Sequence, residues 1–212
     1  MKRTSMSVSV AAALLVLSGC GESGSGTAGS DTRSVGAFDE IEIHGALDAD
    51  VTVGGKPSVV VTGDDNLVPL IETDVVGDRL VIRPTESMSR KLPMTITIST
   101  EALTELELHG ASEVVATGID ADELTVELHG ASEATLEGDA EELDAELHGA
   151  SKLLAQKLDA DEVQLQASGA SSAELGEPDA ISAALSGASS ARYGGTPKVT
   201  EKLSGSSAIS KR

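Results

Sequence analysis

The chain has 212 residues, a formal net charge of −20, a single cysteine and only 1% aromatic residues. A chain this acidic repels a phosphate backbone, so its charge excludes nucleic acid as a partner. With only one cysteine, an intramolecular disulfide is excluded as well.

The first twenty residues resemble a bacterial lipoprotein signal. Two basic residues precede a short apolar run, Ser9 to Leu17, which is too short to span a bilayer as a helix. The sequence Leu17-Ser18-Gly19-Cys20 resembles a lipobox, which implies that residues 1–19 are removed as a signal peptide and that Cys20 carries the lipid. Gly21 resembles the pattern for sorting to the outer membrane. The alternative is an ordinary secretory signal with a chance cysteine.

The mature chain divides into a linker and one domain. Residues 20–36 are rich in Gly, Ser and Thr and have no apolar period, which predicts a lipidated flexible tether. No second linker interrupts residues 37–212. Residues 101–150 carry fifteen acidic and no basic residues, so we expect the lipid, and not a basic surface, to hold the protein at the membrane.

Six copies of a short glycine-centred corner recur in the second half of the chain. Their glycines are Gly110, Gly130, Gly149, Gly169, Gly187 and Gly205, at intervals of 18 to 20 residues. Apolar residues two and four positions before each glycine flank a polar one, which is the alternation of a β-strand. Strands that repeat at this interval stack as the rungs of a solenoid, and parallel crossovers favour the right hand. The sequence therefore predicts an all-β fold, a right-handed parallel β-helix. An α-helical repeat is the less favoured alternative, although Ala, Leu and Glu are good helix formers.

The segment before the regular corners repeats this pattern loosely. The sequence from Ile41 to Ala46 matches a strand and a corner, and apolar runs such as Val59 to Val61 and Met94 to Ile98 predict broader rungs. We expect roughly nine rungs in all.

Several motifs together resemble a known family. They are Phe38-Asp-Glu-Ile41, Gly63-Asp-Asp-Asn66-Leu67, the repeated Gly-Ala-Ser corners and Tyr193-Gly-Gly-Thr-Pro197. Over residues 37–210 the chain is similar to the head GIN domain family of auto-transporter adhesins. The resemblance implies a right-handed β-helix at the cell surface or in the periplasm, and it carries no catalytic residues. One departure is the histidine in three consecutive corners, where serine is the commoner residue of the family.

The three corner histidines are the sharpest candidates for chemistry. The histidine column contains His109, His129 and His148, and the glutamate column beside it contains Glu107, Glu127 and Glu146. Equivalent positions of successive rungs should stack about 4.8 Å apart on the outside. Imidazole and carboxylate are ligands for zinc or copper, so these columns are the candidate metal ladder. The preferred interpretation is a solvated corner copied by repeat duplication, and no metal is assigned.

Two other patterns have structural interpretations. The serine two residues after each corner glycine is typical of a side chain that bonds the backbone of its own turn. Asp120, Asp122 and Glu123 have the carboxylates that calcium prefers, but the chain lacks the glycine-rich repeat of calcium-binding rolls, so weakly held screening ions are the preferred interpretation.

The sequence thus predicts a non-enzymatic protein of the bacterial cell envelope, anchored by lipid, most simply in the outer membrane. It would present a binding or adhesive surface to an envelope protein or a glycan, without a cofactor. One alternative is a structural envelope protein that self-associates. The other is a polysaccharide-active β-helix enzyme, but the chain has no Trp, one Tyr and one Phe to form sugar platforms.

Overall fold

A computed structural model describes residues 21–212, so the predicted signal peptide and Cys20 lie outside the described residues. The fold is 65% strand and 2% helix. In chain order the strands are β1 (Glu22–Ser23), β2 (Ala28–Arg33), β3 (Glu40–Gly45), β4 (Asp48–Val53), β5 (Ser58–Asp64), β6 (Ile71–Val76), β7 (Arg79–Pro84), β8 (Met88–Ser89), β9 (Thr95–Thr100), β10 (Glu105–Gly110), β11 (Glu113–Leu128), β12 (Glu133–Leu147), β13 (Lys152–Ala167), β14 (Ser172–Leu175), β15 (Ala180–Leu185), β16 (Ser190–Tyr193), β17 (Lys198–Leu203) and β18 (Ala208–Lys211). A short 3-10 helix spans Val68–Leu70. None of the helices within residues 21–212 is long and apolar enough to cross a membrane.

From β10 onward the chain winds in regular coils. Each coil has a first side that ends at a corner glycine and a second side that follows it. In β11, β12 and β13 one long strand forms the second side of a coil, bends, and becomes the first side of the next coil. Neighbouring coils pair in parallel and in register, with Leu106 opposite Val126 and Val126 opposite Ala145. The predicted parallel β-solenoid is confirmed, with about five turns.

The interior of the solenoid is narrow and made of aliphatic columns. Leu108, Leu128 and Leu147 stack in one column and are completely buried. A neighbouring column combines larger residues such as Leu106 and Leu165 with smaller ones such as Ala145 and Ala183. Each buried leucine contributes about 1.5–3 kcal/mol, so the stability of this core comes from many small contacts.

Each corner requires glycine for two reasons. Gly130 has a φ of +84°, and a Cβ at this position would collide with the carbonyl oxygen of Gly110 in the preceding coil. The same close approach allows the N–H of Ala131 to donate to that oxygen at 2.7 Å. The corners are therefore bonded to one another along the axis.

Most corner serines are buried, and most bond to the backbone of a turn. The hydroxyl of Ser132 donates to the carbonyl of His129 at 3.0 Å. Ser171, Ser189 and Ser207 make the equivalent bond to the carbonyl three residues before them. The serine column thus stabilises the turns, as the sequence indicates.

The first coil along the chain is not the first coil in space. Strand β3 pairs with β10 on one edge and with β7 on the other, and β4 lies in the same way between β11 and β9. Residues 58–100 therefore fold against the outer edge of the coil that precedes them. The chain then returns at β10 to the opposite edge of that coil.

The expectation of roughly nine rungs is wrong. Strand β5 pairs antiparallel with both β2 and β9, and β6 pairs antiparallel with β7. These strands have the same alternation as a rung, but antiparallel neighbours satisfy their backbone groups. Alternation alone does not distinguish the two arrangements.

The prediction of a flexible tether over residues 20–36 is also wrong from β1 onward. Strand β2 pairs with β5 along its whole length, and β1 pairs with β8. Pairing at a sheet edge uses main-chain groups, so it needs no apolar side chains. Small residues even favour it here, because a Cβ at Gly29 would lie 2.6 Å from the Cα of Asp65.

A buried carboxylate fastens this added edge. Asp64 is fully buried and accepts hydrogen bonds from the backbone N–H groups of Gly26, Lys91 and Leu92 at 2.7–3.1 Å. Burial acts to raise the pKa of Asp64, but these donors and the charge of Lys91 hold it below its ordinary value. The N-terminal segment is therefore tied to the solenoid by an ionised side chain.

Candidate functional site

The first sides of the coils form one continuous parallel sheet, which we call the ladder face. Its outward side chains lie one, three and five residues before each corner glycine. The row nearest the corners contains His44, His109, His129, His148, Ser168, Ser186 and Ser204. The middle row contains Glu42, Glu107, Glu127, Glu146, Gln166, Ala184 and Lys202, and the far row contains Glu40, Glu105, Thr125, Asp144, Gln164, Ser182 and Thr200.

Four histidines stack in the corner row. The ring centroids of His44 and His109 are 4.6 Å apart, those of His109 and His129 are 4.9 Å apart, and those of His129 and His148 are 5.2 Å apart. Neighbouring ring planes differ by 7° to 13°. The three predicted histidines are therefore brought together as their alignment indicates.

The fourth histidine, His44, was missed as a member of this column. Sixty-five residues separate it from His109, because residues 58–100 lie between the two coils in sequence. The signal that could have placed it is the match of Ile41-Glu-Ile-His-Gly-Ala46 to the later corners.

Each histidine faces the glutamate two residues before it. The Nε2 atom lies 2.5 Å from the carboxylate in the pair His44–Glu42 and 2.7 Å in the pair His109–Glu107. The separation grows to 3.5 Å for His129–Glu127 and 3.7 Å for His148–Glu146. These four pairs form the histidine–glutamate ladder, which is tightest at the end nearest β7.

Arg79 on β7 holds that end together. Its guanidinium lies within 2.5–3.3 Å of four carboxylates, those of Glu40, Glu42, Glu105 and Glu107. Hydrogen bonds and charge from Glu40, Glu42 and Glu105 in turn raise the pKa of Arg79 above its ordinary range. Sequence reasoning missed Arg79, since it belongs to no repeat and only the spatial order of the coils brings β7 beside β3.

The carboxylates around Arg79 respond differently to it. Burial acts to raise the pKa of Glu42, but hydrogen bonds from His44 and Arg79 hold it below its ordinary value. The pKa of Glu105 is raised despite the 2.5 Å contact with Arg79, because burial and the nearby carboxylates outweigh that attraction. The negative charge at this end is thus only partly neutralised.

Beyond the reach of Arg79, the ladder face carries an uncompensated carboxylate. Burial raises the pKa of Asp144, and the neighbouring charges of Glu146, Glu142 and Glu123 raise it further. One carboxylate oxygen of Asp144 is buried and lacks a hydrogen-bond partner in the described part of the chain. This residue too was missed by sequence reasoning.

The chemistry of the face changes along the axis. Gln166 donates to Glu146 at 2.9 Å, and His148 meets the hydroxyl of Ser168 at 2.8 Å, where the ladder ends. The next coils present Ser and Ala, and the last one presents Lys202. Asp120, Asp122 and Glu123 lie beside the far row and line an open groove with Glu105.

The fold and this face together define a parallel β-solenoid that exposes long rows of polar side chains. Residues 37–197 match the family described as Putative auto-transporter adhesin, head GIN domain. The chain belongs to this family, as the motifs of the sequence indicate.

Solved structures share the fold at low sequence identity. A putative adhesin from Bacteroides fragilis NCTC 9343 is 21% identical with a TM-score of 0.69, and the match covers 91% of this chain and 100% of that one. A putative adhesin from Parabacteroides merdae ATCC 43184 is 19% identical with a TM-score of 0.55, covering 90% and 98%. A putative lipid binding protein from Parabacteroides distasonis ATCC 8503 is 18% identical with a TM-score of 0.53, again covering 90% and 98%. No curated protein matches this chain.

Proposed function

We propose that this protein is a non-enzymatic binding or adhesive module of the bacterial cell envelope, and that the ladder face is its contact surface. The observation that carries the proposal is the register of this face, where three rows of mostly polar side chains continue over seven stacked strands. A repeating array of donors and acceptors on a rigid sheet suits a repeating polymer such as a glycan. Membership in a family named for adhesins supports the same role.

A lipid on Cys20 would hold the module at the outer membrane. The lipobox-like sequence supports this part of the proposal. Metabolic labelling with a palmitate analogue should mark the wild-type chain and leave the Cys20→Ser variant unlabelled and released from the membrane fraction. A wild-type chain that stays unlabelled and is retained at the membrane as well as the Cys20→Ser variant would contradict the lipid anchor.

Adhesion can be tested with two matched triple variants. The ladder-face variant carries Glu→Gln at residues 107, 127 and 146, and the control carries Glu→Gln at residues 113, 133 and 137 on the second sides. Each removes three negative charges. Cells that display the wild-type or control chain should be retained on surfaces coated with defined acidic and neutral glycans, and cells with the ladder-face variant should be washed off. Equal behaviour of the two variants would contradict the proposal, and cleavage of a glycan would favour an enzyme.

A second candidate is end-to-end self-association, and the two ends of the solenoid favour it. Strands β6 and β17 each have one strand partner within residues 21–212, so each leaves an open edge. Val76 in β6 is 68% exposed beside acidic Asp74, and Leu203 in β17 is 43% exposed beside Lys202. Opposite charges and open strand edges attract one another. Light scattering should show assemblies that dissociate as salt rises, whereas a monomer at all ionic strengths would exclude this candidate.

A further inference from the structure

Two groups of three side chains on the ladder converge closely enough to hold one metal ion. One group is Glu107, His109 and His129, and the other is Glu42, His44 and His109. Within each group the ligand atoms, one imidazole nitrogen from each histidine and one carboxylate oxygen, all lie within 4.8 Å of one another. Zinc is bound at about 2.0–2.2 Å from each ligand atom, so the stacked rings would turn towards each other to bind one ion.

We propose that the histidine–glutamate ladder binds one divalent transition-metal ion through His109, with zinc or copper as the chemical class. Two imidazoles and one carboxylate form the three-ligand set of an open zinc site, which leaves a fourth position for water or a donor atom from outside. Calcium and magnesium prefer oxygen ligands, so this donor set discriminates against them. The proposal goes beyond the adhesive role and does not depend on it.

The site is organised by the fold before any ion binds. The strand register places His109 directly beside His44, with the ring centroids 4.6 Å apart. The carboxylate of Glu107 is also fixed from behind, because Arg79 donates to its second oxygen at 3.0 Å. Such outer contacts orient a ligating carboxylate and strengthen metal binding.

The shared histidine sets the stoichiometry. His109 belongs to both groups, and a neutral imidazole offers one nitrogen to a metal because its other ring nitrogen carries the proton. We therefore expect one tightly bound ion per chain and not one for each histidine. His148 belongs to neither group and stacks on the same column, which makes it a matched control.

The test is calorimetric titration of ZnCl₂ into the purified full chain, made without a polyhistidine tag. The His109→Ser and His148→Ser variants place at these corners the residue that the chain itself has at Ser168 and Ser186. The wild type should bind one zinc ion. Loss of an outer contact weakens metal binding by about 10–100-fold, so loss of the shared ligand should weaken it by at least about 100-fold. H148S should stay within a factor of about three of the wild type.

Three results would overturn the proposal. They are no zinc binding by the wild type, equal weakening in the two serine variants, or a stoichiometry that follows the number of histidines. Circular dichroism checks that both variants fold. If H109S does not, the double variant Glu42→Gln/Glu107→Gln gives the same test, because it removes the carboxylate of each group, and histidine Hε1 resonances of the wild type should shift with zinc at His109 before His148.

Discussion

At the scale of single residues, equivalent serines of the corner column differ in one hydrogen bond. Ser132 donates to the carbonyl of His129, whereas the hydroxyl of Ser151 is buried and lacks a partner within residues 21–212. A buried hydrogen bond contributes about 1 kcal/mol, and a buried hydroxyl without one costs free energy. Ser132→Ala should therefore lower the free energy of unfolding by about 1 kcal/mol, and Ser151→Ala should leave it unchanged or raise it. Denaturant unfolding measures both, and equal losses would contradict the assignment.

Substitutions at three glycines distinguish the effect of a positive φ from the effect of a close neighbouring carbonyl. Gly36 has open space around it and no positive φ, Gly54 has a φ of +90° and open space, and Gly130 has both a positive φ and a carbonyl in contact. Alanine should cost less than about 0.5 kcal/mol at Gly36, about 1 kcal/mol at Gly54 and at least about 3 kcal/mol at Gly130. Unfolding midpoints give the order. Equal costs at Gly54 and Gly130 would show that the close approach of the coils does not matter.

At the scale of elements, Arg79 connects three strands that are distant in sequence. It lies on β7 and contacts carboxylates from β3 and β10. Arg79→Gln would leave four half-buried carboxylates facing one another, which should lower the free energy of unfolding by about 1–2 kcal/mol at pH 7. Arg83→Gln is the control, because Arg83 contacts Glu72 at an exposed position and should cost less than about 0.5 kcal/mol.

The cost of Arg79→Gln should depend on pH. The folded pKa of Glu42 is lowered, so the stability that it contributes is complete above the pKa of the unfolded carboxyl and is lost as pH falls through the lower folded value. In the variant, protonation instead relieves the repulsion among the carboxylates. The difference between wild type and variant should therefore narrow from pH 7 to pH 4 in thermal unfolding. A difference that is constant or grows would contradict this account of the network.

The elements also show how far sequence reasoning reaches. Strands from β10 onward could be predicted because each coil repeats the same alternation and the same corner, at intervals set by the length of one turn. Strands β5 to β9 could not be ordered, since antiparallel pairs and parallel rungs share one apolar pattern. Strand β2 was missed because its composition is that of a linker and its pairing uses the backbone alone.

At the scale of the whole molecule, the two ends of the solenoid differ in side-chain chemistry. The β7 end of the ladder face carries glutamate and histidine, the middle coils carry Ser and Ala, and the last coil carries Lys202. The predicted site residues lie together as columns because one period governs the repeats. His44 and Arg79 join them only through the spatial order of the coils, in which residues 58–100 lie outside the first coil. No local pattern in the sequence carries that information.

Strand β3 lies directly against β10, so the ladder runs unbroken through His44. Cysteine cross-linking in a Cys20→Ser background tests this stacking order. Paired positions on adjacent strands lie about 4.8 Å apart, within the Cα separation of about 4.4–6.8 Å that a disulfide requires. The His44→Cys/His109→Cys chain should form an intramolecular disulfide under mild oxidation, seen as a shift on non-reducing gels that reductant reverses. His44→Cys/His148→Cys, three coils apart, should stay reduced. A disulfide in the second variant and none in the first would contradict the stacking order.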